Sequence, residues 1–308
     1  MAQLAFCRRA LAPFRLDFTV WVLRRRADNV MDRWDGHTYR RVLNLGGEPH
    51  ELAVTQEGDP DRAELRVTVT GASLSPVTER FAAAALDRLL GLQLDLAGFY
   101  RMAAGDAALQ ALAGRFRGVK PPRFPSLFEA LVNGIACQQL TLTLGIRLLN
   151  RLTEQFGSVF TQGCRTAYAF PSPAELAGRS PDALRRLGFS RQKARAIVGL
   201  AEAMAARSTE LEGLEELDDA ALADQLCRFQ GVGRWTAEYV LLRGLGRLGV
   251  FPGDDVGARG NLARWLGLSG PLDYAGVRRA VERWQPYAGL LYFHLLLGRL
   301  AEAGYLPG

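Results

Sequence analysis

The stretch FQGVGRWTAEYVLLRGLGRLGVFPGDDVG, from Phe229 to Gly257, places a tight glycine turn between two segments with helical patterns. Before the turn, Leu222, Leu226 and Phe229 fall on one face of an amphipathic segment. Glycine on either side of Val232 permits positive φ and leaves backbone N–H groups exposed at the start of the second helix. The stretch therefore predicts either a phosphate-binding hairpin or a helix corner with no ligand.

Length and charge limit the class of protein. A chain of 308 residues, 48% hydrophobic and 23% charged, predicts about two globular domains. The net charge of +6 comes almost entirely from arginine, because Lys120 and Lys193 are the only lysines. Arginine suits bidentate phosphate contacts, although genome composition alone also produces such residue usage. The composition is therefore compatible with an anionic partner and does not establish one.

The cysteines are Cys7, Cys137, Cys164 and Cys227, and they lack the spacing that a zinc site or an iron–sulfur centre needs. We therefore expect free thiols in a reducing compartment and a cytoplasmic protein. The apolar stretch PYAGLLYFHLLLG, residues 286–298, is shorter than the roughly 20 residues of a membrane helix. We therefore predict a buried core helix there and no membrane contact.

Hydrophobic periodicity changes along the chain. From Phe14 to Gly71 apolar and polar residues alternate, beginning with FRLDFTVWVL, and this pattern predicts antiparallel strands. From Pro76 onward the period is helical. Strands followed by helices predict an α+β protein, with a small antiparallel sheet domain over residues 1–79 and a larger all-α domain over residues 80–308.

Three segments carry a family resemblance. LCRFQGVGRWTAEYVLLRGL with VFPGDDVG contains a hairpin over residues 226–243 and a Gly/Pro-Asp signature. The other two segments are PPRFPSLFEALVNGIACQQLTLTLG and WDGHTYRRVL. Together they resemble the helix–hairpin–helix (HhH-GPD) superfamily of DNA glycosylases, in its AlkA-type branch of 3-methyladenine DNA glycosylase II. This resemblance spans nearly the whole chain and implies a monomeric, nucleoid-associated bacterial enzyme that acts on double-stranded DNA without a cofactor.

The resemblance assigns DNA phosphate binding to hairpin residues, namely Gly231, Val232, Gly233, Arg234 and Thr236. Phosphate contacts of this kind hold DNA without reading its sequence. No metal is required for the implied reaction. A monovalent ion is nevertheless expected at three carbonyl groups of the hairpin, those of Cys227, Gln230 and Gly233.

The catalytic carboxylate implied by the resemblance is Asp255, and Asp254 is then expected to cap a helix or face water. Cleavage of an N-glycosidic bond builds positive charge on the sugar. A nearby carboxylate stabilises that charge and orients or deprotonates the attacking water. Alkylated purines already carry positive charge, so one aspartate suffices. The alternative is that both aspartates are only helix caps.

Relatives that also cleave the DNA strand place a lysine two residues after the second hairpin glycine, where it forms a Schiff base. Trp235 occupies that position in this sequence. Lys193 falls in a different predicted helix, where we expect a surface or phosphate-contacting residue. The sequence therefore predicts a monofunctional glycosylase.

Trp235 and Tyr239 are four residues apart and share a helix face, as core residues or as walls of a base pocket. The resemblance implies pocket walls, whose aromatic faces attract a cationic methylated base by about 0.5–2 kcal/mol. Leu296 and Val256 stand at two positions where the branch carries aromatic pocket residues. These departures predict a wider pocket. Candidates to replace the missing aromatic walls are Phe14, Phe18, Trp21 and Phe293.

A base that enters such a pocket must leave the stack, and another group must fill the gap in the duplex. By the resemblance, Gln139 and Leu140 of CQQLTL occupy this position, with Leu140 as the apolar wedge. The alternative is that Leu140 is a buried helix residue.

The predicted function is base-excision repair by a hydrolase that releases flipped-out 3-methyladenine and 7-methylguanine. A wider pocket adds 1-methyladenine and 3-methylcytosine as hypotheses. Two alternatives remain. One is a noncatalytic hairpin scaffold that binds DNA, which Asp255 argues against. The other is a glycosylase for oxidised bases, which Trp235 and the GRWTA match disfavour.

Overall fold

The computed structural model describes residues 1–206 and 216–306. Its N-terminal part contains an antiparallel sheet of the strands β1 (Ala2–Arg9), β2 (Arg33–Trp34), β3 (Tyr39–Leu45), β4 (Glu48–Glu57) and β5 (Glu64–Gly71). Their order across the sheet is β1-β5-β4-β3-β2. In register, Val42 faces Glu51 across β3 and β4, and Val54 faces Val67 across β4 and β5. The α+β class predicted from the period change is confirmed.

One predicted strand is wrong. The segment FRLDFTVWVL, residues 14–23, falls largely within helix α1 (Leu16–Arg24). This helix lies between two cores: Leu16 and Val20 pack against the sheet, and Phe18 packs against the C-terminal helices. Apolar residues of α1 are buried on several faces of the helix. Its sequence therefore lacks the single apolar face of an amphipathic helix and resembles the alternating pattern of a strand.

The rest of the described chain is mainly helical. The first group of helices is α2 (Pro76–Leu90), α3 (Ala97–Ala104), α4 (Ala107–Arg115), α5 (Leu127–Cys137) and α6 (Leu142–Phe156). A short hairpin follows, formed by β6 (Val159–Gln162) and β7 (Arg165–Tyr168). The next group is α7 (Pro173–Leu176), α8 (Pro181–Arg186), α9 (Arg191–Ala205), α10 (Asp219–Leu226) and α11 (Arg234–Arg243). The last group is α12 (Val256–Trp265), α13 (Tyr274–Val281), a 3₁₀ turn (Glu282–Trp284) and α14 (Ala288–Glu302).

Two elements connect the sheet with the helices. Helix α2 crosses the predicted boundary between residues 79 and 80, and its Ala82 and Leu86 are buried against the sheet. The β6–β7 hairpin packs its Phe160 and Ala167 against Val42 of β3. The hairpin adds a strand pair to the part of the chain that was predicted to be all-α. The division into domains at residue 79 itself stays a prediction.

A buried ion-pair cluster joins the sheet to helix α5. Arg41 of β3 donates to Asp32 at 2.6 Å and also to Glu129 of α5. Tyr39 donates its hydroxyl to Asp32 at 2.8 Å. All four side chains are buried, and burial raises the pKa of Glu129. Loss of Arg41 would leave the buried carboxylates of Asp32 and Glu129 without their cation, which is strongly destabilising.

Helix α14 confirms the core helix predicted for residues 286–298. Its Leu291 and Leu297 are buried against α1, α12 and their neighbours. Across the described part of the chain, no helix has the length and apolarity to cross a bilayer.

The buried histidine of α14 predicts a pH-dependent stability. His294 contacts the Leu290 carbonyl through Nδ1 at 2.8 Å, its Nε2 has no hydrogen-bond partner, and burial lowers its pKa to about 4. The unfolded chain binds a proton below about pH 6.5, whereas the folded chain does so only near pH 4. The free energy of unfolding should therefore fall by about 3 kcal/mol as the pH falls from 6.5 to 4, because only the unfolded chain is protonated at His294 in this range.

Urea unfolding of wild type and His294→Leu at pH 7, 5.5 and 4.5 tests this expectation. The free energy of unfolding of wild type should fall more steeply with acid than that of His294→Leu. His37→Leu, which removes an exposed imidazole, is the matched control. Parallel pH profiles for wild type and His294→Leu would contradict the assignment.

Candidate active site

A cavity of about 1260 Å³ opens where several elements of the helical region meet. It is lined by the end of α1, the α5–α6 loop, the start of α11, the start of α12 and one face of α14. Its lining includes a catalytic candidate, aromatic side chains and the predicted wedge, namely Arg25, Gln139, Leu140, Trp235, Tyr239, Asp255, Tyr292 and Leu296. The structure therefore gathers the predicted catalytic, pocket and wedge residues at one site.

The glycine turn between α10 and α11 is present, with a positive φ at Gly231 but an extended backbone at Gly233, whose φ is −109°. Gly231 has φ of +83°, and a Cβ there would lie 2.7 Å from the Cβ of Ala196, so only glycine fits. Val232 is 7% exposed and plugs the core beneath the turn. Gly233 is the N-cap of α11 and supplies no side-chain cap to the first-turn N–H groups. Those N–H groups have no intrahelical partners, and their binding of a phosphate stays a prediction.

Two residues of the predicted phosphate-binding set have other contacts. Thr236 is 0% exposed, and its hydroxyl accepts a hydrogen bond from Gln138 at 2.6 Å. Its burial excludes a direct phosphate contact, so its inclusion was wrong. Arg234 is exposed, but it donates to Asp254 at 2.7 Å and lies 3.8 Å from the ring centroid of Tyr274. A phosphate that binds Arg234 must compete with this carboxylate.

Asp255 is the N-cap of α12. Its Oδ1 accepts from the backbone N–H of Ala258 at 2.8 Å, and its Oδ2 accepts from Trp235 Nε1 at 3.3 Å. Of the two roles expected for Asp254, helix capping is wrong, because Asp255 is the cap; the Asp254 side chain is partly exposed and pairs with Arg234. The two contacts orient the carboxylate of Asp255 in the cavity lining beside the aromatic wall.

The Pro-Gly turn before the two aspartates is held by Glu238 of α11. This carboxylate accepts from Gly253 N at 3.0 Å and from the Tyr274 hydroxyl at 2.6 Å. A Cβ at Gly253 would lie 2.7 Å from the Tyr274 ring, so the turn packs tightly on that ring. Burial raises the pKa of Glu238. The sequence reasoning missed Glu238, although its helical spacing from Trp235 and Arg234 was visible.

Trp235 and Tyr239 share a helix face, as their spacing predicts, and both line the cavity, as the resemblance implies. Trp235 and Tyr239 stack with ring centroids 5.5 Å apart at an interplanar angle of 28°. Leu296 lines the cavity as expected, whereas Val256 lies at its mouth with 73% of its surface exposed. A further ring comes from Tyr292 of α14, which sequence reasoning did not identify.

Tyr292 is an aromatic residue of the cavity lining that the sequence candidates did not include. Desolvation and the charge of Asp255 raise the pKa of its hydroxyl above the ordinary value. The four candidates named from the sequence lie in the hydrophobic cores instead, and they are Phe14, Phe18, Trp21 and Phe293. Tyr292 reaches the cavity, whereas Phe293, the next residue on α14, is buried in the core.

The predicted wedge lies in the loop between α5 and α6. Gln139 has φ of +52°, which is uncommon outside glycine, and Leu140 is 37% exposed. Leu140 is therefore not a buried helix residue, and both side chains line the mouth of the cavity. Their insertion into DNA stays a prediction.

The wedge loop is attached to the hairpin by Gln138. Its Nε2 donates to the Gly231 carbonyl at 2.7 Å and to Thr236 Oγ1 at 2.6 Å. Lys193 donates to the carbonyls of Ala136 and Gln138 at 2.9 and 2.6 Å. Lys193 is half-buried and supports the loop through these bonds, and its contact with a phosphate stays a prediction.

The expected monovalent-ion site stays a prediction. Cys227 is the C-cap of α10, where helix carbonyls lack intrahelical partners. The Gly233 carbonyl accepts from Ala237 N at 2.9 Å and keeps a second lone pair. With the carbonyl of Gln230, these oxygens are a donor set that suits a hard monovalent cation.

Comparison with known proteins assigns the family. Residues 132–286 match the model described as "HhH-GPD superfamily base excision DNA repair protein". This segment makes up half of the chain and contains the hairpin, the wedge loop and Asp255. The chain therefore belongs to the HhH-GPD superfamily of base excision DNA repair proteins.

Individual relatives agree with this assignment. The chain is 34% identical to the DNA-3-methyladenine glycosylase of Bacillus subtilis over 54% of its own length and 55% of that protein. It is 28% identical to DNA-3-methyladenine glycosylase 2 of Escherichia coli over 92% of its length and 93% of that protein. The solved 3-methyladenine DNA-glycosylase of Archaeoglobus fulgidus superposes with a TM-score of 0.79, at 28% identity over 96% of this chain and 97% of that chain.

The contacts of Glu238 predict a measurable loss of stability. Glu238→Ala removes the acceptor for Gly253 N–H and the Tyr274 hydroxyl, so it should lower the free energy of unfolding by about 2–4 kcal/mol. Glu238→Gln keeps an acceptor of the same length and should cost about 1 kcal/mol. Urea denaturation at pH 7 measures both. Equal losses for the two variants would show that these hydrogen bonds do not hold the turn.

Proposed function

We propose that this protein is a monofunctional DNA glycosylase that hydrolyses the N-glycosidic bond of alkylated bases in double-stranded DNA. The observation that carries the proposal is the carboxylate of Asp255, which is held by Trp235 and Ala258 in the lining of an aromatic cavity. The phosphate-binding hairpin lies at the same cavity. Membership of a base excision repair superfamily supports it.

Asp255 is placed for the charge that the reaction creates. Departure of the base leaves an oxocarbenium-like sugar, and a fixed carboxylate beside that sugar lowers the barrier without reorganising during the reaction. Its second task is to orient or deprotonate the water that attacks the sugar. The hydrogen bond from Trp235 fixes Oδ2, and the N-cap bond fixes Oδ1, so the group enters the reaction already oriented.

The positions of both lysines support hydrolysis without strand cleavage. A lyase reaction needs an amine that attacks the sugar carbon to form a Schiff base. Lys193 donates to the carbonyl groups behind the wedge loop, and Lys120 is buried against the Leu94 carbonyl. Neither lines the cavity. Trp235 stands where the lyase relatives would carry the lysine, and it holds Asp255 instead.

Two parts of the site are proposed to contact the DNA. The first-turn N–H groups of α11, left open by Gly233, bind a backbone phosphate near the damaged nucleotide. Leu140 fills the gap that opens when the nucleotide rotates into the cavity, with Gln139 beside it. Gln138 of the wedge loop donates to the Gly231 carbonyl of the hairpin. This bond fixes the distance between the phosphate-binding N–H groups and the wedge.

The substrate range follows from the shape of the cavity. 3-Methyladenine and 7-methylguanine are the expected substrates, and the names of the relatives support the first of these. Leu296 and the exposed Val256 leave room at two sides where the branch carries rings. On this basis we include 1-methyladenine and 3-methylcytosine in the proposed range.

Replacement of the catalytic carboxylate is the direct test. Asp255→Asn should keep the fold, because asparagine caps helices as well as aspartate does, and should lower base release at least about 100-fold through loss of the charge. Base release from methylated duplex DNA, identified by mass under single-turnover conditions, measures this. Asp254→Asn, which breaks only the pair with Arg234, is the matched control.

Three outcomes separate the alternatives. Equal activity of Asp255→Asn and wild type would remove Asp255 from the mechanism. DNA binding with no release of any base would favour a noncatalytic scaffold. Release from an 8-oxoguanine duplex, but not from methylated DNA, would favour a glycosylase for oxidised bases.

The wedge assignment is tested by comparing alanine variants of two exposed leucines. Leu140→Ala should lower single-turnover release by about tenfold or more, because the extrahelical state loses the apolar group that fills the gap. Leu144→Ala removes a leucine on α6 with similar exposure, outside the cavity lining, and should leave the rate unchanged. The same loss in both variants would contradict the wedge assignment.

A further inference from the structure

The cavity continues past Asp255 as a groove between α12 and α14. On α12 the lining residues recur at helical spacing on one face, and they are Gly257, Gly260, Asn261 and Arg264. On α14 the lining residues share a face in the same way, and they are Tyr292, Leu296 and Arg299. The rise of α12 from Asp255 to Arg264 is roughly 13 Å. The groove therefore extends from the proposed catalytic carboxylate to a pair of arginines.

The two arginines at the far end of this groove share one carboxylate. The side chains of Arg264 and Arg299 are 59% and 46% exposed. Glu302 pairs with Arg264 at 4.0 Å and lies closer to Arg299. Within residues 1–206 and 216–306, no other carboxylate forms an ion pair with either arginine. Because one carboxylate serves two cations, this end of the groove keeps a net positive charge.

The stability of the fold does not account for these features. An exposed ion pair contributes little to folding, because both groups are well hydrated before they pair. The face of α12 that leads to the arginines carries two glycines, although glycine is unfavourable inside a helix. A Cβ at Gly260 would meet no atom within 4 Å, so packing within the described chain does not require a glycine there. A polyanion that approaches α12 closely and reaches the arginines would account for both features.

The arginine pair has the chemistry that binds a phosphate diester. A guanidinium donates two parallel hydrogen bonds to phosphate oxygens, and this geometry favours arginine over lysine at such sites. One DNA strand carries a phosphate about every 3.4 Å along the duplex axis. A duplex whose damaged nucleotide lies at Asp255 therefore presents several phosphates within the length of the groove.

The arginine pair is separate from the hairpin that is proposed to bind phosphate. The hairpin ends at the start of α11, where Trp235 contacts Asp255. Arg264 lies in the last turn of α12, and Arg299 lies in the last turn of α14. The hairpin and the arginine pair are therefore placed to contact different phosphates of one duplex.

We propose that Arg264 and Arg299 form a second phosphate-binding site, which holds the DNA backbone that flanks the flipped nucleotide. The phosphate replaces Glu302 as the partner of the two guanidinium groups, so the carboxylate competes with DNA for them. This inference rests on the proposed function in one respect, because the cavity must receive a nucleotide of duplex DNA. A backbone contact adds affinity and fixes the position of the duplex on the enzyme without selecting among bases.

The salt dependence of DNA binding tests this site without requiring base release. The probe is a duplex with a single stable abasic-site analogue, and fluorescence anisotropy measures its affinity over a series of KCl concentrations. Each phosphate that the protein neutralises contributes about 0.9 to the slope of log K against log salt. The double variant Arg264→Gln with Arg299→Gln should lose about one to two units of this slope and bind about tenfold more weakly at low salt. Both side chains are exposed and glutamine is a good helix former, so the variant should fold.

Replacement of the shared carboxylate should have the opposite effect. Glu302→Gln removes the group that competes with phosphate and should strengthen binding by roughly two- to fivefold. If the ion pairs served only the fold, Glu302→Gln and Arg299→Gln would both break them and would change binding in the same direction. The opposite signs therefore distinguish a phosphate site from a structural contact.

An exposed ion pair on the sheet provides matched controls. Arg66 of β5 pairs with Glu57 of β4, and both side chains are more than half exposed and lie outside the cavity lining. Arg66→Gln changes the net charge as Arg299→Gln does, and Glu57→Gln changes it as Glu302→Gln does. Both control variants should keep the wild-type affinity and slope.

The results separate this inference from the proposed function. Wild-type affinity and slope in the double variant would overturn the inference. Equal losses in Arg66→Gln and Arg299→Gln would also overturn it, because they would show an effect of net charge alone. If the binding results are as expected but wild type releases no methylated base, the glycosylase proposal fails and the second phosphate-binding site stands. Failure of wild type to bind the duplex would overturn both.

Discussion

The pairing of Arg41 with two buried carboxylates holds the sheet against helix α5, and the end of the cavity depends on this contact. Glu129 and Asn133 lie one turn apart on α5. The first binds Arg41, and the second binds Arg25, which in turn donates to Tyr239. A continuous series of polar contacts thus runs from the sheet to the aromatic wall. The N-terminal sheet therefore supports the cavity, because its contacts lead to two residues of the cavity lining, Arg25 and Tyr239.

A second set of contacts fixes the reactive side of the cavity. Glu238 holds the Pro-Gly turn, and the turn brings Asp255 to the N-cap position of α12. Trp235 then serves both as a wall and as a hydrogen-bond donor to the carboxylate. Helix α11 carries Glu238 and Trp235, and it begins at the hairpin. One short helix therefore connects the hairpin, the aromatic wall of the cavity and the carboxylate proposed to be catalytic.

Sequence alone identified the parts that are local in the chain. The hairpin follows from turn chemistry and the shared face of Trp235 and Tyr239 from helical spacing. The assignment of Asp255 rests on the family resemblance to the same continuous stretch. The helix α1 was missed because burial on several faces removes its helical period. Arg25 was missed because its partner Tyr239 is 214 residues away, and no local pattern encodes that contact. Tyr292 was missed because the rotation of α14 about its axis, set by packing, decides which side chain reaches the cavity.

We propose that a flipped, alkylated base occupies the cavity beside Asp255. A crystal structure of Asp255→Asn bound to duplex DNA with a single 7-methylguanine would show where the base lies, since the variant keeps the helix cap and should not release the base. We expect an extrahelical base against the Trp235–Tyr239 stack, Leu140 in the vacated position and a phosphate at the start of α11. A base that remains stacked in the duplex, with the DNA bound away from the cavity, would contradict it.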